Sequence, residues 1–366
     1  MIKICHITST PQGSIPRILR ECSSAVEEGM KPYVVVQGKS YEKDGISFIG
    51  VKQAKNKIYR MLITSVNLYR EAKKVKADIY QIHDPELLPF ALKLKKKGYK
   101  VIFDSHEFYG IQIETKDYIP RSLRTFVAKV YKVYEAYVCK RIDAVIAVCT
   151  INNRNYFENR ASKTIYIANL PDTNVFCNQL ETTKRDTKTV VYVGALSKSR
   201  GITNLIQAIN KTDANLVLCG PFSSKEYYEE VKPYLNTPKV TYKGILSRKE
   251  VVELLKRSYI GVSTLLNVGQ YSLIDTLPTK VYEYMAMGIP VIVSDTPFSR
   301  KVISKYEFGI CVNPEDIKEI ANKISFLLKN PDIAKKMGEN GRRAVEQRYN
   351  WDVEKKKLID LYKSIM

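Results

Sequence analysis

Residues Leu277 to Asp295 read LPTKVYEYMAMGIPVIVSD, and this stretch decides the fold. Pro278 stands where a helix begins, a position at which its missing N–H costs nothing. Gly288 follows about three turns later and ends the helix, as glycine commonly does. The apolar run Val291-Ile292-Val293 is typical of a buried parallel strand. The stretch therefore predicts a helix followed by a strand of a parallel α/β sheet.

Two acidic residues accompany this helix: Asp275 stands just before it and Glu283 lies inside it. At about 1.5 Å of rise per residue, Glu283 lies roughly 7 Å along the axis from Pro278. The first-turn N–H groups of a helix bind a diphosphate well. The inner carboxylate would then accept hydrogen bonds from two sugar hydroxyls. The spacing predicts a nucleotide-sugar clamp, although an ordinary amphipathic helix with a solvated Glu283 has the same spacing.

The whole motif, Asp275-Thr-Leu-Pro-Thr-Lys-Val-Tyr-Glu283, resembles the acid-x7-Glu signature of retaining glycosyltransferases with the GT-B fold, and most closely that of family 4. In that family the second Glu holds the ribose hydroxyls of the donor nucleotide. The first acid, usually Glu, approaches the transferred sugar. The resemblance thus implies a donor-binding Glu283 and a catalytic Asp275, one methylene shorter than usual. Donor binding is also assigned to three residues around the start of the helix, Leu277, Thr279 and Lys280, together with Glu283.

Composition sets the class of the protein. The 366 residues, 45% of them hydrophobic, can bury a large core and suggest two domains. The sequence contains no apolar run long enough for a membrane-spanning helix, and MIKICHIT lacks the apolar segment of a signal peptide. The cysteines are odd in number and form no C-x-x-C pair, which predicts reduced thiols in a cytoplasm and no zinc site. They are Cys5, Cys22, Cys139, Cys149, Cys177, Cys219 and Cys311.

The chain is strongly basic, with a formal net charge of +21. A solvated face, an anionic membrane surface and nucleic acid are the three explanations of this excess. Nucleic acid is disfavoured because the sequence has no zinc finger, helix-turn-helix or aromatic RNP-type strand. Residues 118–134 are basic, with aromatic side chains on a helical pattern, as in an interfacial helix. The alternative is that their apolar face packs inward. We expect a cytoplasmic protein that associates peripherally with the inner face of the membrane.

Short apolar strands alternate with helical patterns along the chain, which predicts parallel α/β architecture. Together with the resemblance, this gives the GT-B fold: two facing Rossmann-like, doubly wound domains with a cleft between them. The predicted parts are an N-terminal domain (1–170), a linker (171–187), a C-terminal nucleotide-sugar domain (188–350) and a helix (351–366) that crosses back to the N-terminal domain. The predicted strands are Ile2–Ile7, Tyr33–Gln37, Ser47–Val51, Ile79–Ile82, Val101–Asp104, Ala144–Val148, Thr164–Ile167, Val190–Val193, Asn215–Cys219, Val240–Tyr242, Ile260–Ser263, Val291–Val293 and Gly309–Val312.

Two histidine-containing loops follow neighbouring strands, in HDPELLP (83–89) and DSHE (104–107). A lone histidine is more often structural, but ligands of doubly wound sheets lie beyond the carboxyl ends of strands. The pair is typical of a subgroup of family 4 in which a loop histidine faces the transferred sugar, and His106 fits that role best. A metal site formed with Asp84, Asp104 and Glu107 is the alternative, although the spacing of the two histidines is not that of zinc. His6 is expected to be a buried neighbour.

Three further loops carry candidate donor-binding residues. Gly13 lies in a small-residue loop after the first strand, where backbone can approach phosphate or sugar, and a plain structural turn explains it equally well. Relatives have a glycine, an Arg and, five residues later, a Lys that together neutralise the diphosphate. Here Gly194 is followed by Ala195, and Arg200 replaces the Lys. Lys198 or Lys280 can supply the second charge; a surface turn is the alternative for Lys198 and Arg200. The turn at Gly244 resembles the family's base-binding loop, whose backbone groups contact the nucleobase.

The resemblance implies a retaining transferase that moves a sugar from a UDP- or GDP-linked donor to an acceptor hydroxyl of a glycan or lipid-linked glycan. The departing phosphate oxygen assists the attack, and domain closure excludes water. No cofactor or metal is expected, because the helix dipole and cations take its place. A sugar-nucleotide epimerase would need further carboxylates and histidines around the sugar, and the chain contains only three histidines in all. The alternative without catalytic activity is a degenerate GT-B protein that only binds a partner.

Overall fold

The computed structural model describes residues 1–115, 119–176 and 185–366. The chain folds into two compact units: Met1–Asn169 together with Glu354–Met366, and Leu170–Val353. Part of the predicted linker (171–187) and Cys177 lie outside the described residues. Among the described cysteines, Cys5, Cys22, Cys139, Cys219 and Cys311 are free thiols. Within the described residues, no helix has both the length and the apolar character needed to cross a bilayer.

The first unit is built on an eight-stranded sheet with the order β3-β4-β2-β1-β5-β6-β7-β8. All neighbouring strands are parallel except β3 and β4. The strands are β1 Lys3–Pro11, β2 Lys31–Gln37, β3 Tyr41–Lys43, β4 Ile46–Val51, β5 Ile79–Ile82, β6 Lys100–Ser105, β7 Ala144–Ala147 and β8 Thr164–Tyr166. The helices are α1 Pro16–Glu27, α2 Lys57–Tyr59, α3 Ser65–Val75, α4 Leu88–Lys95, α5 Tyr109–Gln112 and α6 Arg121–Cys139. A π-helical turn at Arg60–Thr64 joins α2 to α3.

The second unit has a six-stranded, wholly parallel sheet with the order β11-β10-β9-β12-β13-β14. Its strands are β9 Thr189–Val193, β10 Asn215–Cys219, β11 Val240–Tyr242, β12 Ile260–Ser263, β13 Val291–Ser294 and β14 Gly309–Val312. Its helices are α7 Thr173–Phe176, α8 Ile202–Ile209, α9 Lys225–Val231, α10 Arg248–Arg257, α11 Thr279–Ala286, α12 Pro297–Tyr306, α13 Ile317–Lys329 and α14 Pro331–Gln347. The last helix, α15 Trp351–Ile365, groups with the first unit from Glu354 onward.

Continuous burial explains why these strands are apolar runs. Val190, Leu216, Ile260 and Ile292 lie on four neighbouring strands of the second sheet and have no exposed surface. Helices cover both faces of such sheets, so every side chain of a central strand needs an apolar neighbour. The thirteen predicted strands are all present, with ends within two residues except at β1, which runs on to Pro11.

One strand, β3, is missing from the sequence prediction. It pairs antiparallel with β4 through Lys43 and Ile46, across a two-residue turn. Asp44 and Gly45 both adopt positive φ angles there, 51° and 77°, as an Asp-Gly hairpin turn requires. All three residues of β3 are exposed, so this edge strand carries no apolar pattern from which it can be recognised.

Candidate functional sites in the two units

The acid-x7-Glu helix is α11 of the second unit. Pro278 caps its start, with φ −56° and ψ 140°, and Gly288, with φ 62°, follows its end. Glu283 lies in the middle of the helix, and its side chain is only 9% exposed. Arg248 Nη1 donates a hydrogen bond to Glu283 Oε1 at 2.8 Å. The alternative of a merely solvated Glu283 is therefore wrong.

Arg248 is the first residue of α10, directly after the Ser247 N-cap. Its guanidinium carbon lies 4.4 Å from the centre of the Phe176 ring, and 52% of its side chain is exposed. One face of the guanidinium thus packs on an aromatic ring while the group pairs with a buried carboxylate. A buried carboxylate needs such a cation, because its desolvation is costly when it is left alone.

Lys280 lies one turn before Glu283 and is buried. Its Nζ lies 3.5 Å from the centre of the Tyr192 ring and has no hydrogen-bond partner among the described residues. Burial lowers the pKa of Lys280 well below its usual range, and Arg200 lowers it further, while Glu283 opposes the shift. The second unit therefore holds a buried lysine without a hydrogen-bond partner among the described residues, and an incoming anion would favour its charged form.

Gly194 directly follows β9 and lies next to this amine. A Cβ at Gly194 would lie 2.9 Å from Lys280 Nζ, and the backbone there has φ 134°, which L side chains rarely adopt. Burial raises the pKa of Tyr192 to about 12. Arg200 acts in the opposite direction and lowers this pKa, so its guanidinium must lie close to the Tyr192 hydroxyl. Gly194, Arg200 and Lys280 are thus brought together around Tyr192. Lys198, by contrast, is exposed.

The remaining predicted donor residues of the second unit lie on the same loops. Leu277 is buried, and its N–H donates to the Tyr282 hydroxyl at 3.3 Å. Asp275 and Thr279 are half-buried at the start of α11. Gly244, with φ 71°, ends the turn after β11, and its carbonyl accepts from the Gly220 N–H at 2.8 Å. Their roles remain predictions.

In the first unit, the two histidine loops lie at the ends of the adjacent strands β5 and β6, as predicted. The rings of His83 and His106 have centroids 6.2 Å apart. His106 is half-buried, and its Nδ1 lacks a hydrogen-bond partner among the described residues. His6, as expected, is fully buried; its Nδ1 lies 3.0 Å from His83 Nε2. Gly13 is exposed in the turn after β1.

A buried salt bridge lies beneath the histidines. Arg17 of α1 donates to both oxygens of Asp104, from Nε at 3.0 Å and from Nη2 at 3.2 Å. Burial raises the pKa of Asp104, but Arg17 and His83 lower it more, so the carboxyl stays ionised. Burial and Asp104 raise the pKa of Glu21 well above its usual range, and burial lowers the pKa of His83. Arg17 and Asp104 therefore form the central ion pair of this cluster.

The metal alternative can be weighed against this geometry. His83, Asp104 and His106 each offer a ligand atom, and these atoms lie within 4.8 Å of one another. Asp104, however, already accepts both of the Arg17 hydrogen bonds. A divalent ion would stand beside a buried guanidinium, and this arrangement favours a structural ion pair over a metal site. Of the other two candidate ligands, Asp84 accepts from Thr8 Oγ1 at 2.7 Å and from the Ser9 N–H at 2.6 Å, and Glu107 Oε2 accepts from Gln112 Nε2 at 2.7 Å.

Several residues of these sites carry no signal in the sequence. Tyr192 lies inside an ordinary apolar strand, and Arg248 precedes Glu283 by 35 residues. Gln81 hydrogen-bonds both Glu21 and Asp104 and accepts from the Tyr362 hydroxyl of α15 at 2.6 Å. A polar residue within β5 is the one available hint, because a buried strand seldom carries a glutamine without partners.

Family models match both units. The model of glycosyl transferases group 1 matches residues 179–344, and the model of glycosyltransferase family 4 matches residues 18–169. Only residues 1–17, 170–178 and 345–366 are unmatched. The chain belongs to the group 1 glycosyltransferase family.

Individual curated glycosyltransferases resemble the chain at low sequence identity. This family member is 27% identical to an uncharacterized glycosyltransferase of Methanocaldococcus jannaschii over 186 residues, 50% of this chain and 46% of the relative. It is 24% identical to the capsular polysaccharide biosynthesis glycosyltransferase CapM of Staphylococcus aureus over 193 residues, 50% and 47% of the two chains. The chain thus spans about half the length of the curated relatives that it matches.

Solved structures show the fold. HepE of Anabaena, determined in complex with UDP and glucose, superposes with a TM-score of 0.74 at 14% identity, covering 100% of both chains. At this identity the likeness concerns architecture alone. The two Rossmann-like sheets of this family member are those of the GT-B glycosyltransferases, as predicted.

Proposed function

We propose that the protein is a retaining glycosyltransferase that moves a sugar from a nucleotide diphosphate sugar to an acceptor hydroxyl. The observation that carries this proposal is the group formed by Glu283, Lys280 and Gly194 in the second unit. A buried carboxylate and an unpaired buried amine lie one helical turn apart, and glycine leaves backbone room beside them. The ribose of a donor needs a carboxylate such as Glu283 to accept its hydrogen bonds, and the neighbouring diphosphate needs a cation such as Lys280.

The leaving diphosphate gathers negative charge as the glycosidic bond breaks. Lys280 and Arg200 both approach Tyr192 and can neutralise that charge, and the N-terminus of α11 adds its dipole. Lys280 replaces the arginine that relatives carry at the position of Ala195. Lys198, being exposed, is the weaker candidate for this second cation.

On the ribose side, Glu283 shares its carboxylate between Arg248 and the donor. Arg248 donates to Oε1 and so fixes the orientation of the carboxylate. The ribose hydroxyls then meet a charged, oriented acceptor, which gives stronger hydrogen bonds than a neutral one. Asp275, just before α11, is assigned to the transferred sugar, as is His106 of the first unit.

The substrates follow from the relatives as proposals. HepE binds UDP, so a UDP-linked sugar is the first donor to test, and a GDP-linked sugar the second. CapM acts in capsular polysaccharide biosynthesis, which supports a glycan or lipid-linked glycan as acceptor in bacterial cell-surface polysaccharide or glycolipid synthesis. We place this reaction at the cytoplasmic face of the membrane.

A titration with UDP and GDP, followed by a donor turnover assay, tests the proposal. We expect micromolar binding of one nucleotide and release of that nucleotide from its sugar-linked form. Turnover should persist in excess EDTA, because the helix N-terminus and cations stabilise the leaving group without a metal. Binding without any turnover would support the degenerate binding protein instead, and loss of turnover in EDTA would contradict the metal-free mechanism.

Nucleotide binding is expected to take up a proton at Lys280. The amine has a lowered pKa in the free protein, and a diphosphate raises it by favouring the charged form. Affinity should therefore fall as the pH rises, because the bound state holds more protons than the free state. Calorimetric titration in buffers of different ionisation enthalpy measures the uptake directly.

Lys280→Met supplies the control for this linkage. It keeps the volume of the side chain and removes the titrating amine, so the buffer dependence should shrink to that of the nucleotide's own phosphate. An unchanged proton uptake in the variant would show that another group titrates.

A further inference from the structure

An apolar stripe runs along the outer side of α6 in the first unit. It consists of Leu123, Phe126, Val130, Val133 and Tyr137, which follow one another at alternating spacings of three and four residues. Such spacings place side chains on one face of a helix. Their exposed fractions lie between 49% and 72%, so the stripe is open to solvent.

The opposite face of α6 is the one that packs against the first unit. Ala128, Val138 and Cys139 are fully buried there. Glu135 is buried on the same face and accepts a hydrogen bond from Arg160 Nη2 at 2.7 Å. Rotating the stripe inward would break this ion pair in a buried setting. The inward-packed alternative for this segment is therefore wrong for the stripe.

A second apolar segment lies in the same unit, at α2 and the π-helical turn. Ile58, Met61, Leu62 and Ile63 are between 45% and 71% exposed. Arg60, within this segment, pairs with Glu86 at 3.0 Å. Both charges are close enough to Tyr109, the first residue of α5, to affect its pKa, and α5 packs on α6. The helix that carries the stripe and this segment thus both lie near α5. We call the two together the apolar face.

The elements that carry the apolar face are rich in basic residues. Residues 52–64 contain four basic residues and no acidic one, and the one acid of α6 is the buried Glu135. Two copies of the chain meeting through this face would oppose like charges, which disfavours a homodimer. A surface that combines apolar side chains with cations complements a surface that is apolar inside and anionic outside. The basic residues are Lys52, Lys55, Lys57 and Arg60, with Arg121, Arg124, Lys129 and Lys132 on α6; of these, Arg60 pairs with Glu86 and Lys132 pairs with Glu114.

We propose that the apolar face docks on an anionic lipid bilayer. The apolar side chains enter the boundary between headgroups and acyl chains, and the lysines and arginines of the same elements meet the lipid phosphates. No membrane-spanning segment is involved. The proposal goes beyond the donor chemistry and does not depend on it, because docking is measured without any turnover.

Vesicle sedimentation tests the docking. We expect the full chain to bind vesicles of roughly 30 mol% phosphatidylglycerol in phosphatidylcholine at least about tenfold more tightly than pure phosphatidylcholine, with binding that weakens as NaCl is raised. Phe126→Ser combined with Val133→Ser should lower binding to the anionic vesicles about tenfold or more, because two exposed apolar anchors are lost. Both side chains are more than 60% exposed, so the melting temperature should not change.

A matched control is available in the second unit. Phe326 and Ile333 are each 40% exposed, on α13 and α14, and Phe326→Ser with Ile333→Ser should bind vesicles like the unmodified chain. For the charges, Arg121→Gln with Lys129→Gln should weaken anionic binding, whereas Lys301→Gln with Lys336→Gln, exposed residues of the second unit, should have a smaller effect.

Four results would overturn the proposal. The first is equal, salt-insensitive binding to neutral and anionic vesicles. The second is undiminished anionic binding by the Phe126/Val133 variant, which would reduce the interaction to charge alone. The third is a dimer in sedimentation velocity that this variant dissolves, which would assign the face to a second copy. The fourth is equally tight, variant-sensitive binding to soluble polyglutamate, which would assign it to an acidic polypeptide.

Discussion

Glu283→Ala is expected to weaken UDP binding about 30- to 700-fold, which corresponds to about 2–4 kcal/mol. The substitution removes a charged acceptor that we assign to two ribose hydroxyls. Folding should survive, because the Arg248 partner is 52% exposed and returns its charge to water. Isothermal titration measures the affinity, and thermal unfolding checks the fold.

Two comparisons make this experiment specific to the ribose. The unmodified protein should bind 2′-deoxy-UDP more weakly than UDP, whereas the Glu283→Ala variant should not distinguish them. Glu253→Ala, on the exposed side of α10, is the matched control and should bind UDP normally. If Glu283→Ala bound UDP as tightly as the unmodified protein, the ribose would lie elsewhere.

Arg248 also enters this prediction. Arg248→Ala removes the donor that holds Glu283 Oε1 in place and leaves the carboxylate as an acceptor. The loss of UDP affinity should then be smaller than for Glu283→Ala, because the acceptor remains but is less well oriented. Tighter UDP binding would instead mean that Arg248 obstructs the site.

The strands and α11 could be predicted from sequence because local rules decide them. Parallel strands buried on both faces must be apolar runs, and Pro278 and Gly288 mark the two ends of α11 by their backbone preferences. The exposed edge strand β3 obeys no such rule. Its turn, Asp44-Gly45, is the only local sign, and three exposed residues supply no pattern on either side.

The partners of the site residues could not be predicted, because tertiary packing chooses them. Asp104 has the residue type of a metal ligand, yet Arg17, which precedes it by 87 residues, occupies both of its oxygens. The sequence predicts that Glu283 faces solvent or ribose, and α10 brings Arg248 to it. Charges of opposite sign pair wherever burial makes isolation costly, and sequence separation carries no information on that.

His106→Ala is expected to lower kcat about 10²–10³-fold while UDP affinity stays within about threefold of the unmodified protein. His106 follows β6 of the first unit, whereas the groups assigned to the nucleotide belong to the second unit. A hydrogen bond formed mainly in the reacting complex lowers kcat without changing ground-state nucleotide binding. Donor turnover and UDP titration on the same preparation give the two numbers.

A structural role for His106 would give a different pattern. His83→Ala provides the contrast, since His83 is fully buried against His6 and Asp104 and its removal should lower the melting temperature. His106 is half-buried, and its Nδ1 makes no hydrogen bond within the described residues, so His106→Ala should unfold near the temperature of the unmodified protein. His106→Gln, which keeps a hydrogen-bonding group, should recover part of the turnover. Unchanged turnover with a lowered melting temperature would assign His106 to the structural cluster, and the sugar contact would then have to come from Asp275.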